Sequence, residues 1–432
     1  MSDSKTETSP HSHGHCQYSA DRSHWRWICS LLLLAAILRI IAAVSIDHHV
    51  RQAGRQFLVE GDANGYWQLG QALAAGADYA IHSPPRRILR TPGYPLLLAA
   101  SIRVFGPSIL AASLLQAALG TLVCLQVFLL TKRLAGTAPA LAALAIAAVS
   151  PLQIASCVQI LSEGWFTCWV LASLLALEPL LRSGHEDASS ASVWQALTAG
   201  LAAGCGILVR PGWILWPVLA TGMLILFHRS PVRRRLLLAT TLCLGSWLVL
   251  LPWAIRNFQV SGLWVHTSLW SGPSLYDGLN PQATGASDMR FLDADLLYNR
   301  YTEAEVNDQY KRRALDFVLK NPWRTAELGV SKAARFLSPT LSAPGIANSA
   351  TNASLLAWHL LLLIPMIQGL FGSRLTRTAK LLLFLPFLQF LLVHMVFVGS
   401  VRYRLPVEMP LAAVAACGIV GIWQRRGWTL PD

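Results

Sequence analysis

A carboxylate in a stretch rich in glycine and aromatic residues is the first feature of this sequence that could do chemistry. The stretch runs Glu60-Gly61-Asp62-Ala63-Asn64-Gly65-Tyr66-Trp67. A carboxylate held close to a substrate can take a proton from an acceptor hydroxyl while that hydroxyl attacks an activated carbon. The alternative is a solvated loop carboxylate, and the stretch by itself leaves both interpretations of Asp62 open.

Other charged residues flank apolar runs later in the chain. Glu163 begins one run, where it could bind a metal, hold an acceptor or cap a helix at its positive end. Arginines lie at the ends of other runs, and the guanidinium group suits phosphate because its donors form a bidentate fork. These arginines are Arg210, Arg256, Arg402 and Arg404. Together with the two acids they suggest a pocket for an anionic headgroup.

The composition indicates which elements must position these residues. The 432 residues are 54% hydrophobic and only 13% charged, with a mean hydropathy of +0.45. Soluble domains carry about 25% charged residues, so this chain has too little charge to cover a water-facing surface of its size. A span needs about 20 apolar residues. The sequence therefore predicts an all-α polytopic membrane protein with about ten transmembrane helices.

Ten apolar runs can be placed as spans, and basic clusters set their orientation. The first run is too long for a signal-peptide core, and we interpret it as a retained anchor. With the N-terminus inside, ten spans put every basic cluster between them inside, as the positive-inside rule requires. The predicted spans cover residues 27–46, 108–131, 137–156, 160–181, 194–209, 213–228, 235–254, 353–371, 379–398 and 405–423.

This topology predicts two large outer segments, residues 47–107 and 256–352, within a transmembrane domain of residues 26–423. Residues 1–25 are predicted to form a disordered cytoplasmic tail, and residues 424–432 a second cytoplasmic tail. Residues 92–105 are apolar but too short to cross a bilayer, so we predict a juxtamembrane helix on the outer surface. In the second outer segment, a helix is predicted from Glu303 to Lys320, closed by Asn321-Pro322.

Charge and cysteine usage exclude two other classes. The formal net charge is +13, but many of the basic residues form short clusters between apolar runs, a pattern that argues against nucleic-acid binding. The eight cysteines contain no CxxC pair. Neither a disulfide framework nor a zinc site is indicated.

The order and spacing of several stretches resemble the GT-C glycosyltransferases, in particular the bacterial protein-mannosyltransferase-like group that includes the aminoarabinose lipid A transferases. The first outer segment resembles theirs in Glu60-Gly61-Asp62 and in Thr91-Pro92-Gly93-Tyr94-Pro95. Three later stretches agree: Ser150-Pro151 to Glu163, Leu251-Pro252-Trp253 with Arg256-Asn257, and Arg402-Tyr403-Arg404-Leu405-Pro406. The resemblance extends over residues 27–423 and implies a GT-C type bundle.

The resemblance implies an inverting transferase that moves a sugar from a polyprenyl-phosphate-linked donor to an acceptor on the outer, periplasmic side of a bacterial inner membrane. Asp62 matches the family's catalytic acid and Glu163 a second acid near the active site. The four arginines are implied as ligands of the donor phosphate. Tyr66, His82 and Tyr94 are expected to be loop residues that meet the acceptor. The acceptor class (lipid, glycan or protein) and a divalent metal are left open.

Two other classes of function are consistent with many apolar spans. A transporter or flippase for a lipid-linked or anionic substrate would also place charged groups within the membrane region. A non-catalytic scaffold is the third interpretation. The charged candidates collect at one predicted membrane face and no internal repeat is evident, which favours the transferase.

Overall fold

The computed structural model describes residues 14–182, 190–341, 348–373 and 375–427, and within these ranges the regular structure is helical. The exception is a single bridge between Ile81 and Arg86. The predicted all-α polytopic fold is confirmed. The predicted N-terminal tail lies outside the described residues as far as residue 13, whereas residues 14–25 are helical and continue into the first span. Of the predicted C-terminal tail, residues 428–432 lie outside the described ranges.

Within the described ranges, eight helices are long and apolar enough to cross a membrane, by length and composition. They are α1 (Gly14–Gln52), α4 (Ile109–Ala135), α7 (Glu163–Arg182), α8 (Ser190–Val209), α10 (Val232–Ser261), α15 (Ser349–Gly372), α16 (Arg377–Val396) and α17 (Val401–Arg425). In the apolar window of α17, 78% of the residues are buried, against 22% in α1 and 11% in α15. Helix α17 is therefore central in the bundle, and α1 and α15 are peripheral.

The other two predicted spans are each divided into shorter pieces. Residues 137–156 form α5 (Thr137–Val149) and α6 (Pro151–Ser156). Ser150 between them is extended, since a residue before proline is disfavoured in the helical region. Residues 211–227 form a 3-10 turn (Pro211–Trp213) followed by α9 (Trp216–Phe227). Of the ten predicted spans, eight are therefore continuous helices of 18 residues or more in the described ranges, and two are divided.

Short helices make up the two outer segments. The first contains α2 (Asp62–Ala75) and α3 (Gly93–Phe105), the latter at the predicted juxtamembrane position. The second contains α11 (Ser271–Gly278), α12 (Arg290–Asp295), α13 (Glu303–Lys320) and α14 (Pro322–Leu337). Helix α13 has the predicted bounds because Thr302 and Glu305 cap its first turn reciprocally and Pro322 follows its end.

A buried arginine joins the first span to the end of α5. Arg39 is fully buried in α1 and donates hydrogen bonds to the carbonyls of Ala147 (2.9 Å) and Ala148 (2.9 Å). These carbonyls lie in the last turn of α5, where the helix offers them no amide partner. The negative end of a helix dipole also favours a cation there. Arg39 therefore fastens the interrupted span α5–α6 to α1.

We expect Arg39→Met to lower the stability of the protein by about 2 kcal/mol or more, since it leaves two buried carbonyls without donors. The measurement is thermal unfolding of the purified protein in detergent. Arg26→Met, on the exposed part of the same helix, is the matched control. Equal unfolding temperatures for the two variants would show that the contact with α5 contributes nothing.

Candidate active site

Four helix ends meet at one place and each supplies a charged side chain. Asp62 is the first residue of α2 and Glu163 the first residue of α7. Arg210 directly follows α8, and Arg402 lies in the first turn of α17. Gly61 before α2 has a φ of 82°, which a residue with a side chain rarely adopts, and so it allows the sharp turn that brings Asp62 into the cluster.

Arg402 bridges the two acids. Its Nη1 donates to Asp62 Oδ2 at 2.9 Å, and its Nε donates to Glu163 Oε1. Glu163 Oε1 also accepts from Arg210 Nη1 at 2.7 Å, and Asp62 Oδ1 accepts from Arg90 Nη2 at 2.6 Å. Three guanidinium groups and two carboxylates thus form one connected cluster, which carries one net positive charge.

The cluster is buried on one side and open on the other. The side chain of Glu163 is 4% exposed, whereas those of Asp62 and Arg402 are 37% and 28% exposed. Glu163 Oε2 is buried and has no hydrogen-bond partner among the described residues. A ligand that reaches the cluster would therefore meet Asp62 and Arg402 first, with Glu163 behind them.

The charge of Asp62 is stabilised by its two guanidinium partners. Burial raises the pKa of Asp62, but the positive charges and hydrogen bonds of Arg90 and Arg402 outweigh it and hold the pKa well below its usual value. Burial likewise lowers the pKa of Arg90, and the carboxylate of Asp62 raises it above the usual value. Asp62 is therefore an ionised hydrogen-bond acceptor at neutral pH.

Aromatic rings support the arginines. The guanidinium carbon of Arg210 lies 5.0 Å from the ring centroid of Tyr403, and that of Arg90 lies 4.4 Å from the centroid of Tyr66. Tyr66 meets Tyr94 edge to face at 5.0 Å. Such contacts orient a guanidinium group and stabilise its charge. Two of the predicted loop residues, Tyr66 and Tyr94, thus lie beside the cluster.

Tyr94 also anchors the start of α3 on the membrane helices. Its hydroxyl donates to Gln116 Oε1 on α4 at 2.9 Å, and Gln116 in turn donates to the carbonyl of Gln159 before α7. A Cβ atom on Gly93 would lie 2.6 Å from the carbonyl oxygen of Leu208, so glycine allows α3 to approach the end of α8. These contacts hold the first outer segment against α7 and α8, which supply Glu163 and Arg210.

Two of the predicted arginines make their contacts elsewhere. Arg256 donates to the carbonyls of Arg87 (2.7 Å) and Tyr79 (3.2 Å), and so it holds the backbone of the first outer segment. Arg404 donates to the carbonyls of Phe336 and Ser338. The structure does not bring either of them to Asp62.

Arg404 and His82 each lie in surroundings of their own, away from the cluster. The guanidinium group of Arg404 also meets His359 Nε2 at 2.7 Å and Glu408 at 3.4 Å, which makes a second, buried polar group. His82 has a positive φ of 68°. Burial and the nearby charges of Arg86 and Arg90 lower the pKa of His82, which favours its neutral ring. None of the described contacts joins His82 to Asp62.

Arg90 is a site residue that the sequence analysis did not identify. Its position in the sequence is the feature that could have identified it. Arg90 directly precedes Thr91-Pro92-Gly93-Tyr94, the stretch that begins α3, and it follows Arg86 and Arg87. Three arginines within residues 86–90 of the outer segment that also carries Asp62 could have indicated an ion pair, but not which arginine forms it.

The residues present do not fit a metal ion. In the ranges that the structure describes, no group of three or more His, Cys, Asp and Glu side chains could hold one. Both oxygens of Asp62 and one oxygen of Glu163 accept hydrogen bonds from arginines. The cluster is therefore arranged to receive an anion rather than a cation.

The fold and the site define an all-α polytopic membrane protein with an acid–arginine cluster at the meeting point of several helix ends. Residues 89–255 match a family model described as dolichyl-phosphate-mannose-protein mannosyltransferase. No curated protein sequence matches the chain.

Solved structures resemble the whole bundle. The oligosaccharyltransferase of Archaeoglobus fulgidus in its apo form has 14% identity and a TM-score of 0.56, over 92% of this chain and 51% of that protein. The same archaeal protein, AglB, with an inhibitory peptide and a dolichol-phosphate gives 14% identity and 0.52, over 92% and 50%. ArnT from Cupriavidus metallidurans bound to undecaprenyl phosphate gives 16% and 0.41, over 93% and 78%.

The chain shares its fold with the archaeal oligosaccharyltransferase, and the resemblance to GT-C glycosyltransferases predicted from its sequence is confirmed by this fold and by the family match of residues 89–255. It spans about half the length of the archaeal oligosaccharyltransferase.

Proposed function

We propose that this protein is an integral membrane glycosyltransferase that moves a sugar from a polyprenyl-phosphate-linked donor to an acceptor, with inversion at the anomeric carbon. The observation that carries the proposal is the bridge that Arg402 makes between Asp62 and Glu163. It places a partly exposed carboxylate, that of Asp62, beside guanidinium groups that can bind a phosphate. The archaeal relative carries a dolichol-phosphate, which supports a polyprenyl phosphate as the carrier.

Arg210 and Arg402 are proposed to bind the donor phosphate. A phosphodiester donor carries one negative charge, and the cluster carries one net positive charge, so the bound state is electrically balanced. When the bond to the sugar breaks, negative charge grows on the phosphate oxygens, and guanidinium groups already in place stabilise it. Glu163 holds both arginines from the buried side, so they need little rearrangement.

Asp62 is proposed as the general base. The acceptor hydroxyl attacks the anomeric carbon from the face opposite the phosphate, and its proton passes to Asp62. The new carbon–oxygen bond forms as the bond to the phosphate oxygen breaks, and that electron pair leaves with the polyprenyl phosphate. A carboxylate paired with two guanidinium groups is a weak base, so the donor has to change its surroundings.

A phosphate that competes for Arg402 would make this change. When Arg402 turns toward the donor, Asp62 keeps only Arg90 as a partner, and the pKa of Asp62 rises toward its usual value. The base would therefore become effective only when the donor is bound.

The site is proposed to face the outer, periplasmic side of a bacterial inner membrane, with both termini in the cytoplasm. Support comes from the basic side chains at the other end of the bundle, where Arg133 and Arg182 pair with Glu178. Basic residues at the ends of spans favour the inside. The acceptor (a lipid, a glycan or a protein) would approach from the outer segments.

The test is an assay of the purified protein in vesicles with radiolabelled polyprenyl-phosphate sugars and candidate acceptors. A transferase forms labelled product without moving label across the vesicle membrane. A transporter or flippase, the alternative function, moves label across the membrane without forming product. Movement without product would overturn the proposal.

A further inference from the structure

The backbone that carries Arg90 is held by the second outer segment. Glu303, the first residue of α13, accepts hydrogen bonds from the backbone amides of Arg87 at 2.7 Å and Ile88 at 3.2 Å. One carboxylate thus fixes two successive peptide groups only a few residues before Arg90. The contact joins residues more than 200 positions apart in the chain.

Neighbouring contacts hold the same short segment. The guanidinium carbon of Arg86 lies 3.6 Å from the ring centroid of Tyr298. The carbonyl of Ile88 accepts from the amide of Leu269 at 2.9 Å. Residues 86–88 therefore contact the second outer segment at Leu269, Tyr298 and Glu303, in addition to the hydrogen bond from Arg256 to the carbonyl of Arg87, and Glu303 supplies the carboxylate.

Glu303 is not needed to cap its own helix. Thr302 and Glu305 cap it instead: the side chain of each accepts a hydrogen bond from the backbone amide of the other. The carboxylate of Glu303 instead accepts hydrogen bonds from backbone amides of the first outer segment. A charged acceptor that is half-buried in this way stabilises the loop conformation that it selects.

We infer that Glu303 is a positioning residue for the Arg90–Asp62 ion pair. By fixing the peptide groups of Arg87 and Ile88, Glu303 sets the position of the Arg90 backbone. That position determines where the guanidinium group of Arg90 meets Asp62. The second outer segment would in this way control the charge environment of the base. The effect on sugar transfer rests on the proposed function, whereas the effect on the loop does not.

Hydrogen–deuterium exchange tests the structural part without any activity. In Glu303→Ala the amides of Arg87 and Ile88 lose their acceptor, so we expect exchange in residues 86–89 to rise about tenfold or more. Asp316→Ala is the matched control, because it removes an exposed acid from the same helix, where Asp316 pairs with Lys320 at 2.8 Å, and leaves the cap of α13 intact. Unchanged exchange in Glu303→Ala, or an equal rise in Asp316→Ala, would overturn the inference.

A double-mutant cycle tests the functional part. Glu303→Ala is expected to lower kcat for sugar transfer about tenfold to 100-fold, the range for a misplaced site group, and Glu303→Gln, which keeps one acceptor oxygen, should recover part of the loss. In an Arg90→Ala background Glu303→Ala should cost little more, because its effect passes through Arg90. If the losses caused by Arg90→Ala and Glu303→Ala were additive, the effect of Glu303 would not pass through Arg90. If the wild-type protein transfers no sugar, the proposed function fails while the exchange result still decides the inference.

Discussion

Asp62→Asn is expected to lower kcat for sugar transfer by about 100-fold to 10,000-fold, the contribution of a positioned general base. Asparagine keeps the size of the side chain but cannot accept a proton. Since the variant also frees Arg90 and Arg402 from a competing carboxylate, we expect polyprenyl phosphate to bind at least as tightly as in the wild type. The measurements are single-turnover transfer and binding of polyprenyl phosphate to the purified protein.

Asp78→Asn provides the matched control for this prediction. Asp78 lies in the same outer segment, is half-exposed and pairs with Arg87 at 2.6 Å, but it does not contact the cluster. Its variant should transfer sugar at nearly the wild-type rate. Retained transfer in Asp62→Asn, with the protein correctly inserted, would refute the assignment of the base, and so would retained transfer in Asp62→Ala.

Arg402→Gln is expected to produce the second large effect, with kcat lowered about 100-fold to 1,000-fold, as for the loss of one preorganised donor to a developing charge. Donor binding should weaken as well, because the phosphate loses a charged ligand in the ground state. Arg402→Lys should not restore the activity, since an ammonium group lacks the planar fork that can bind Glu163 and the donor phosphate at the same time. Steady-state kinetics with varied donor concentration would measure both effects.

Arg290→Gln is a suitable control for the arginine variants. Arg290 is 89% exposed and pairs with Asp288 in the second outer segment. Exposed ion pairs of this kind contribute little to the stability of a protein. We expect its kinetics to be unchanged. An active Arg402→Lys enzyme would mean that charge alone is needed at this position and that the bridge between the two acids is dispensable.

The sequence predicted the fold well because hydropathy and basic clusters report directly on the solvent around each segment. Eight predicted spans are continuous helices, and a juxtamembrane helix was predicted over residues 92–105 from its short length and from the positions of the basic clusters, where the structure has the helix Gly93–Phe105. The two divided segments show the limit of this signal. A run such as 137–156 has the hydropathy of a span, whereas its division depends on Pro151 and on Arg39 from a distant helix.

The site was predicted in part, for a similar physical reason. Topology orders residues along the membrane normal, and it predicted Asp62, Glu163, Arg210 and Arg402 at one membrane face; in the structure these four residues form a single cluster. It carries no information on lateral position. Arg256 was assigned to the same face as the cluster but contacts the backbone of residues 79 and 87 instead.

Arg90 and Arg404 illustrate the two kinds of error that follow. Arg90 lies in a loop without periodic pattern, and only the fold of residues 62–90 brings it to within 2.6 Å of Asp62. Arg404 follows Arg402 by two residues, but successive residues of a helix point in different directions. Its guanidinium group therefore meets Glu408 and His359 rather than the cluster.

The most direct measurement is a structure of the protein with undecaprenyl phosphate bound. We expect the phosphorus atom within about 4–5 Å of the guanidinium carbons of Arg210 and Arg402, the range of charge-assisted hydrogen bonds, and Arg402 turned away from Asp62. A phosphate bound beside Arg256 or Arg404, or at the opposite end of the bundle near Arg133 and Arg182, would contradict the assignment of the cluster as the donor site.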